Sequence, residues 1–144
     1  MDLQCELSIP TSLTANQPAQ LVFALTNAGT DAVQVLNWHT PFEGVRAAMF
    51  TVQRDDTEVD YHGRMFKRGA PRKDDYFALK PGERREAKLD LAEGWDVSSP
   101  GTYKIEFAAQ LFDVAPANAS TPRSPDQFSA VALKCNAVSF TRER

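Results

Sequence analysis

An all-β fold, an immunoglobulin-like antiparallel β-sandwich of about 7–9 strands, is what the sequence predicts, on three observations. Apolar residues recur with a period of two. Turn-forming residues punctuate the chain at short intervals, and no capped window carries helical periodicity. The 144 residues suit one domain, 1–144, large enough to bury a core without metals or many disulfides.

The strands follow in order. Leu3, Cys5 and Leu7 alternate with Gln4, Glu6 and Ser8, the pattern of a half-buried strand. After a turn-rich stretch from Pro10 to Pro18, Leu21, Phe23 and Leu25 mark a second. Asn27 to Asp31 is turn chemistry, since Asn and Gly accept positive φ. Val33 to Trp38, Phe50 to Val52 and Val59 to Tyr61 read as the third, fourth and fifth strands. Tyr76 to Leu79 is a sixth, closed by Lys80-Pro81-Gly82-Glu83, with Pro and Gly in favoured turn positions. Ala87, Leu89 and Leu91 mark a seventh. Tyr103, Ile105 and Phe107 mark an eighth that runs on towards Leu111, and residues 131–140 a ninth. Two segments exceed simple turns: 62–75, charged and carrying Gly and Pro, and 115–130, whose Pro116 to Gln127 reads as flexible.

A net charge of −3 argues against a dedicated nucleic-acid binder. No run approaches the roughly 20 apolar residues of a membrane span. The first residues have neither a basic nor an apolar signal region, leaving a cytoplasmic protein or a mature secreted or periplasmic one. Cys5 and Cys135, near the two ends, are two buried thiols or a disulfide. The terminal strands of sandwiches run close together, which favours the disulfide and an oxidising compartment.

Catalytic signatures are missing from the sequence. His39 and His62 are its two histidines, far apart and in loops, which does not fit a His-Glu-x-x-His zinc helix. There is no Gly-x-Ser-x-Gly elbow, no phosphate-cradling loop and no cofactor motif. A non-enzyme without cofactor or metal is expected. In Asp96 to Tyr103, a Gly turn followed by a strand-initial Tyr resembles the corner where the Tyr hydroxyl bonds nearby backbone. Arg64, Lys67, Arg68, Arg72 and Lys73 fall in ten residues free of acid, with Met65 and Phe66 among them. They form a solvated loop or a binding loop. The aromatics of Trp38 to Gly44 either plug one end of the sandwich or form a contact surface.

These loops carry a resemblance. Val35-Leu36-Asn37-Trp38-His39-Thr40-Pro41-Phe42-Glu43-Gly44 is followed by Phe50-x-Val52-x-Arg54-Asp55, Val59-x-Tyr61-x-Gly63 and Lys67-Arg68-x-x-Pro71. Then come Asp75-Tyr76, Leu79-x-Pro81-Gly82, Leu89-Asp90-Leu91 and Asp96-x-Ser98-x-x-Gly101-x-Tyr103-x-Ile105. The series resembles the N-terminal prodomain of deuterolysin-like, peptidyl-Lys-type zinc metalloendopeptidases, over roughly residues 3–107. In that family a catalytic domain with His-Glu-x-x-His and an Asp ligand follows. Here the sequence stops, so a stand-alone relative of the prodomain is expected.

The resemblance implies a secreted or periplasmic module that binds a protein partner, a metalloendopeptidase, as inhibitor or folding assistant. The residues expected to meet the partner are Trp38, His39, Phe42, Lys67, Arg68 and Tyr76. A structural or adhesive envelope domain without a protease partner is the alternative. A small-molecule or metal site at His39, His62 and Trp38 is a third reading.

Overall fold

Extended backbone accounts for nearly all the regular structure. The structure, a computed structural model, describes residues 2–144. Its strands are β1 (Leu3–Ser8), β2 (Ser12–Leu13), β3 (Gln20–Asn27), β4 (Val33–Leu36), β5 (Phe50–Arg54), β6 (Thr57–Val59) and β7 (Tyr76–Leu79). They continue as β8 (Arg84–Asp90), β9 (Gly101–Phe107), β10 (Gln110–Leu111), β11 (Val114–Pro116), β12 (Val131–Ala132) and β13 (Val138–Arg142). The only helical pieces among the described residues are four single 3-10 turns, at Pro41–Glu43, Lys73–Asp75, Leu91–Glu93 and Pro125–Gln127.

The sheets have the immunoglobulin-like plan. One is β1-β3-β8 and another is β2-β13-β9-β5-β6; a third, β11-β4-β7, and the β10-β12 pair complete the fold. The chain changes sheet between β1 and β2. Pro10, which cannot donate to a ladder, lies between them, and β2 then runs parallel to β13 with Thr141 opposite Ser12. Every other strand pairing is antiparallel.

Alternation in the strands becomes burial in the core. Leu21, Phe23 and Leu25 of the central β3 are fully buried, as are Tyr103 and Ile105 of β9 and Val52 of β5. Phe23 meets Phe107 across the sandwich, with ring centroids 5.4 Å apart. Phe140 stacks on Tyr103 at 4.8 Å. The Tyr103 hydroxyl donates to the Ser99 carbonyl at 2.6 Å, closing the corner expected from the sequence.

The turns follow their residues. At Lys80 to Glu83 the Glu83 N–H bonds the Lys80 carbonyl at 2.9 Å, and Gly82 takes a φ of 79° that only glycine adopts without cost. Asn27 is buried, yet its amide donates to the Asp31 and Leu79 carbonyls and accepts from Gly29 N–H. All the polar capacity that burial strands is thereby used.

Three local expectations need correction. The ninth strand breaks into β12 and β13, because the intervening residues turn to β1, Cys135 by a bridge to Cys5 and Asn136 by its side chain. Asn136 donates to the Leu7 carbonyl and accepts from the Leu7 N–H, both at 2.9 Å, standing in for a backbone partner. The eighth strand stops at Phe107, where Ala108 N–H turns to the Met49 carbonyl. The 115–130 segment is tied down rather than flexible. Gln34 donates to the Pro116, Ala117 and Ala119 carbonyls, and Arg123 pairs with the fully buried Asp113.

Cys5 and Cys135 form a disulfide with Cα atoms 4.8 Å apart, as expected. Cys135 sits in an isolated parallel bridge to Cys5, upstream of the last strand.

Candidate functional site

The two loops singled out in the sequence meet at one buried ion pair. The first loop is a knot of local bonds. Pro41 begins its 3-10 turn, and Thr40 Oγ1 accepts from Phe42 N–H at 3.2 Å while donating to the Asn37 carbonyl at 2.7 Å. His39 lies in the left-handed region at φ 56°, held there by its N–H bonding Glu43 Oε2 at 2.7 Å. The same Glu43 carboxylate receives Arg68 from the second loop, at 2.5 and 2.6 Å. Arg68 also lies over the Trp38 ring, 5.2 Å from its centroid.

Each expected contact residue now has a place. Trp38 is 5% exposed, packed edge-on against Phe112 and Phe128. Phe42 packs between Phe23 at 5.6 Å and Phe77 at 4.8 Å. Both aromatics plug the sandwich. His39 lies tilted against Phe112 with ring centroids 4.5 Å apart, and burial, ahead of the opposing pulls of Glu43 and Arg68, lowers its pKa. Arg68 is committed to Glu43. Tyr76 donates its hydroxyl to Asp113 at 2.7 Å, and burial followed by that bond raises its pKa to about 12. Lys67 remains exposed.

His39 and His62 keep separate company. His62 lies near Asp96, with its N–H on the Gly94 carbonyl. Among the described residues no three His, Cys, Asp or Glu side chains converge as metal donors would.

The side chains left to meet a partner are neighbours of the expected ones. Met65 is 78% exposed and Phe66 40%, the large apolar residues most open to solvent in the described chain. Phe66 lies under Arg46 at 5.0 Å and Arg68 at 5.7 Å. The tip is held at both flanks, by the Tyr61 hydroxyl on the Arg64 carbonyl and by the Arg68–Glu43 pair. Arg46, Arg64 and Lys67 are exposed around it. Two adjacent apolar residues inside a basic stretch were the sequence signal. Their exposure was not readable without Arg68's partner.

Comparison with known proteins gives relatives of one kind. The chain is 33% identical over 116 residues to an extracellular protease of Aeromonas hydrophila, covering 81% of this chain and 32% of that protease. It is 25% identical over 132 residues to a neutral protease 2 homolog of Coccidioides posadasii, covering 90% of this chain and 36% of the relative. This chain thus spans about a third of the length of the curated relatives it matches. No family model matches. Among solved structures, a CARDB domain from Pyrococcus furiosus aligns over 98% of this chain at 14% identity, with a TM-score of 0.40. The chain is thus a homologue of one segment, about a third of the whole length, of extracellular and neutral proteases of the deuterolysin-like kind.

Proposed function

We propose that this chain is a non-catalytic, extracytoplasmic module that binds a protease, as inhibitor or folding assistant, through the tip Arg64 to Lys67. The observation that carries the reading is the Met65–Phe66 pair, exposed at 78% and 40% on a loop anchored at both flanks. Burying such side chains in a partner's pocket releases apolar surface from water, and the pinned loop loses little entropy on doing so. Arg46, Arg64 and Lys67 around it direct the tip towards an acidic rim and speed encounter. The choice of a protease rests on the relatives, whose names are those of proteases and whose length exceeds the shared segment threefold. The disulfide and the extracellular relative support a home outside the cytoplasm.

The test adds this chain in trans to the part of the Aeromonas hydrophila extracellular protease that lies outside the shared segment. The expected result is slowed casein hydrolysis, or higher recovered activity when that part is refolded with the chain present. The Met65→Ala, Phe66→Ala double variant should weaken the effect at least about tenfold, a change of roughly 1.4 kcal/mol, with an unchanged melting temperature. No effect in either assay, or an effect indifferent to the double variant, refutes the reading.

A further inference from the structure

Three arginines in this chain are largely withdrawn from water, and two have their counter-charge. Arg68 faces Glu43, and Arg123 faces Asp113. Arg142, on β13, is 5% exposed and has no carboxylate within ion-pair distance among the described residues. Its Nε donates to the Val97 carbonyl at 3.0 Å, and its Nη1 to the Thr14 and Gln17 carbonyls at 2.9 and 2.5 Å. Carbonyl dipoles satisfy those N–H groups but do not neutralise the charge of the guanidinium. Among the described residues Nη2 has no hydrogen-bond partner, and it is not sealed from solvent.

Arg142 lines a surface cavity of about 680 Å³, together with Pro18, His62, Asp90, Trp95 and Asp96. The cavity therefore holds charge of both signs. Asp96 accepts from the Ser98 hydroxyl at 2.6 Å and its N–H at 3.1 Å, which together hold its carboxyl below the usual range and keep it ionised. Asp90 caps Ala92 N–H with one oxygen, at 3.0 Å. A plain anion meets Arg142 but is opposed by two carboxylates, and a plain cation meets the reverse. Only a ligand with both charges uses the whole cavity.

We propose that this cavity binds a small zwitterion, an amino acid or short unblocked peptide, with its carboxylate on Arg142 and its ammonium towards Asp96 and Asp90. One carboxylate oxygen takes the free Nη2 edge. Asp96 is exposed and Asp90 half-buried, so both stay partly solvated and give direction more than affinity. Ala15, Pro18 and Ala92 leave apolar wall for a short aliphatic body. The site is independent of the Met65–Phe66 tip, so either assignment can fail without the other.

The test is a titration of the ¹⁵N-labelled chain followed by amide and arginine Nε resonances. Glycine, alanine and glycylglycine are the zwitterionic probes; acetate and methylammonium are the single-ended controls. At least one zwitterion should give saturable shifts confined to residues 15–19, 95–98 and Arg142, at least about tenfold tighter than either control. Glycine against glycylglycine separates a free amino acid from a peptide end. Because Arg142 also ties three backbone carbonyls, its variants would test folding together with binding, so Asp96→Asn carries the test. That variant keeps an oxygen acceptor for Ser98, so it should stay folded, and it should bring the zwitterion's affinity down to that of acetate. No saturable shift with any zwitterion overturns the proposal, as does acetate binding as tightly as the zwitterions.

Discussion

Arg68 Nη2 reaches both carboxylate oxygens of Glu43, at 2.5 and 2.6 Å, and so joins two loops that are 25 residues apart in sequence. Glu43 is nearly sealed, with 5% of its side chain exposed against 19% for Arg68. The carboxylate that holds His39 N–H is the one that positions the basic loop, so a single acid organises that end of the sandwich.

Removing that acid should be costly. Glu43→Ala strands a half-buried guanidinium over Trp38 and frees the His39 N–H. A loss of about 3 kcal/mol in urea unfolding is expected, the low end for a broken buried pair because Arg68 keeps some water. A loss below about 1 kcal/mol would mean that the pair is screened and does not organise the loops.

Lys67 and Arg68 are adjacent and alike in charge, yet their variants should separate. Lys67→Ala should change stability by no more than about 0.5 kcal/mol, since Lys67 is exposed and makes no ion pair among the described residues. Arg68→Ala should destabilise much as Glu43→Ala does. Binding experiments on the tip therefore use Lys67→Ala, and its effect should shrink as salt rises. Equal unfolding midpoints for the two variants would contradict this assignment.

The Cys5–Cys135 bridge closes almost the whole chain, with a sequence separation of 130. Loop-closure entropy alone then predicts about 5 kcal/mol of stabilisation. Cys5→Ala with Cys135→Ala, or reduction by dithiothreitol, should lower the urea midpoint accordingly without changing β content by circular dichroism. An unchanged midpoint would mean that the Asn136–Leu7 bonds already hold the chain's ends together.

Asp113 predicts acid sensitivity. Burial works to raise its pKa, but Arg123, the Ser129 N–H and the Tyr76 hydroxyl together outweigh burial and lower it. A depressed folded pKa contributes stability that is complete above the ordinary aspartate value of about 3.9 and is lost as pH falls through the folded value. The stability gap between wild type and Asp113→Asn should be flat near neutrality and narrow below about pH 4. Tyr76 has the opposite sign. Its pKa, raised to about 12, gives a contribution complete below about 10 and lost as pH rises towards 12. Tyr76→Phe should remove that alkaline component, read from urea midpoints measured across that range.

Tyr103→Phe should cost about 1 kcal/mol, the net worth of the bond to the Ser99 carbonyl, with the stacking on Phe140 retained. Thermal unfolding would report it. No change in stability would mean that water replaces the hydroxyl at that corner.

Local physics made much of the architecture legible. Period-two alternation located β1, β3, β8 and β9, because side chains alternate between core and solvent along any strand. The Lys80 to Glu83 turn and the Tyr103 corner were readable for the same reason, as their bonds span only a few residues. The short strands β2 and β11 were not, since strands of two and three residues show no period and exist only through β13 and β4 beside them. The 115–130 segment read as flexible from its Pro, Ser and Ala content; its anchors, Gln34 and Asp113, lie outside it.

By itself the sequence determined the β-rich class, the turn chemistry and the two loops worth attention, all properties of neighbouring residues. Only the tertiary structure decided which members of those loops face out. Trp38, Phe42 and Arg68 turned inward, and Met65, Phe66 and Lys67 were left at the surface. The physical reason is the range of the interactions. An aromatic ring or a guanidinium is stable inside or outside according to whether a distant residue fills its contacts, and Glu43, Phe23 and Phe128 do so from other parts of the chain.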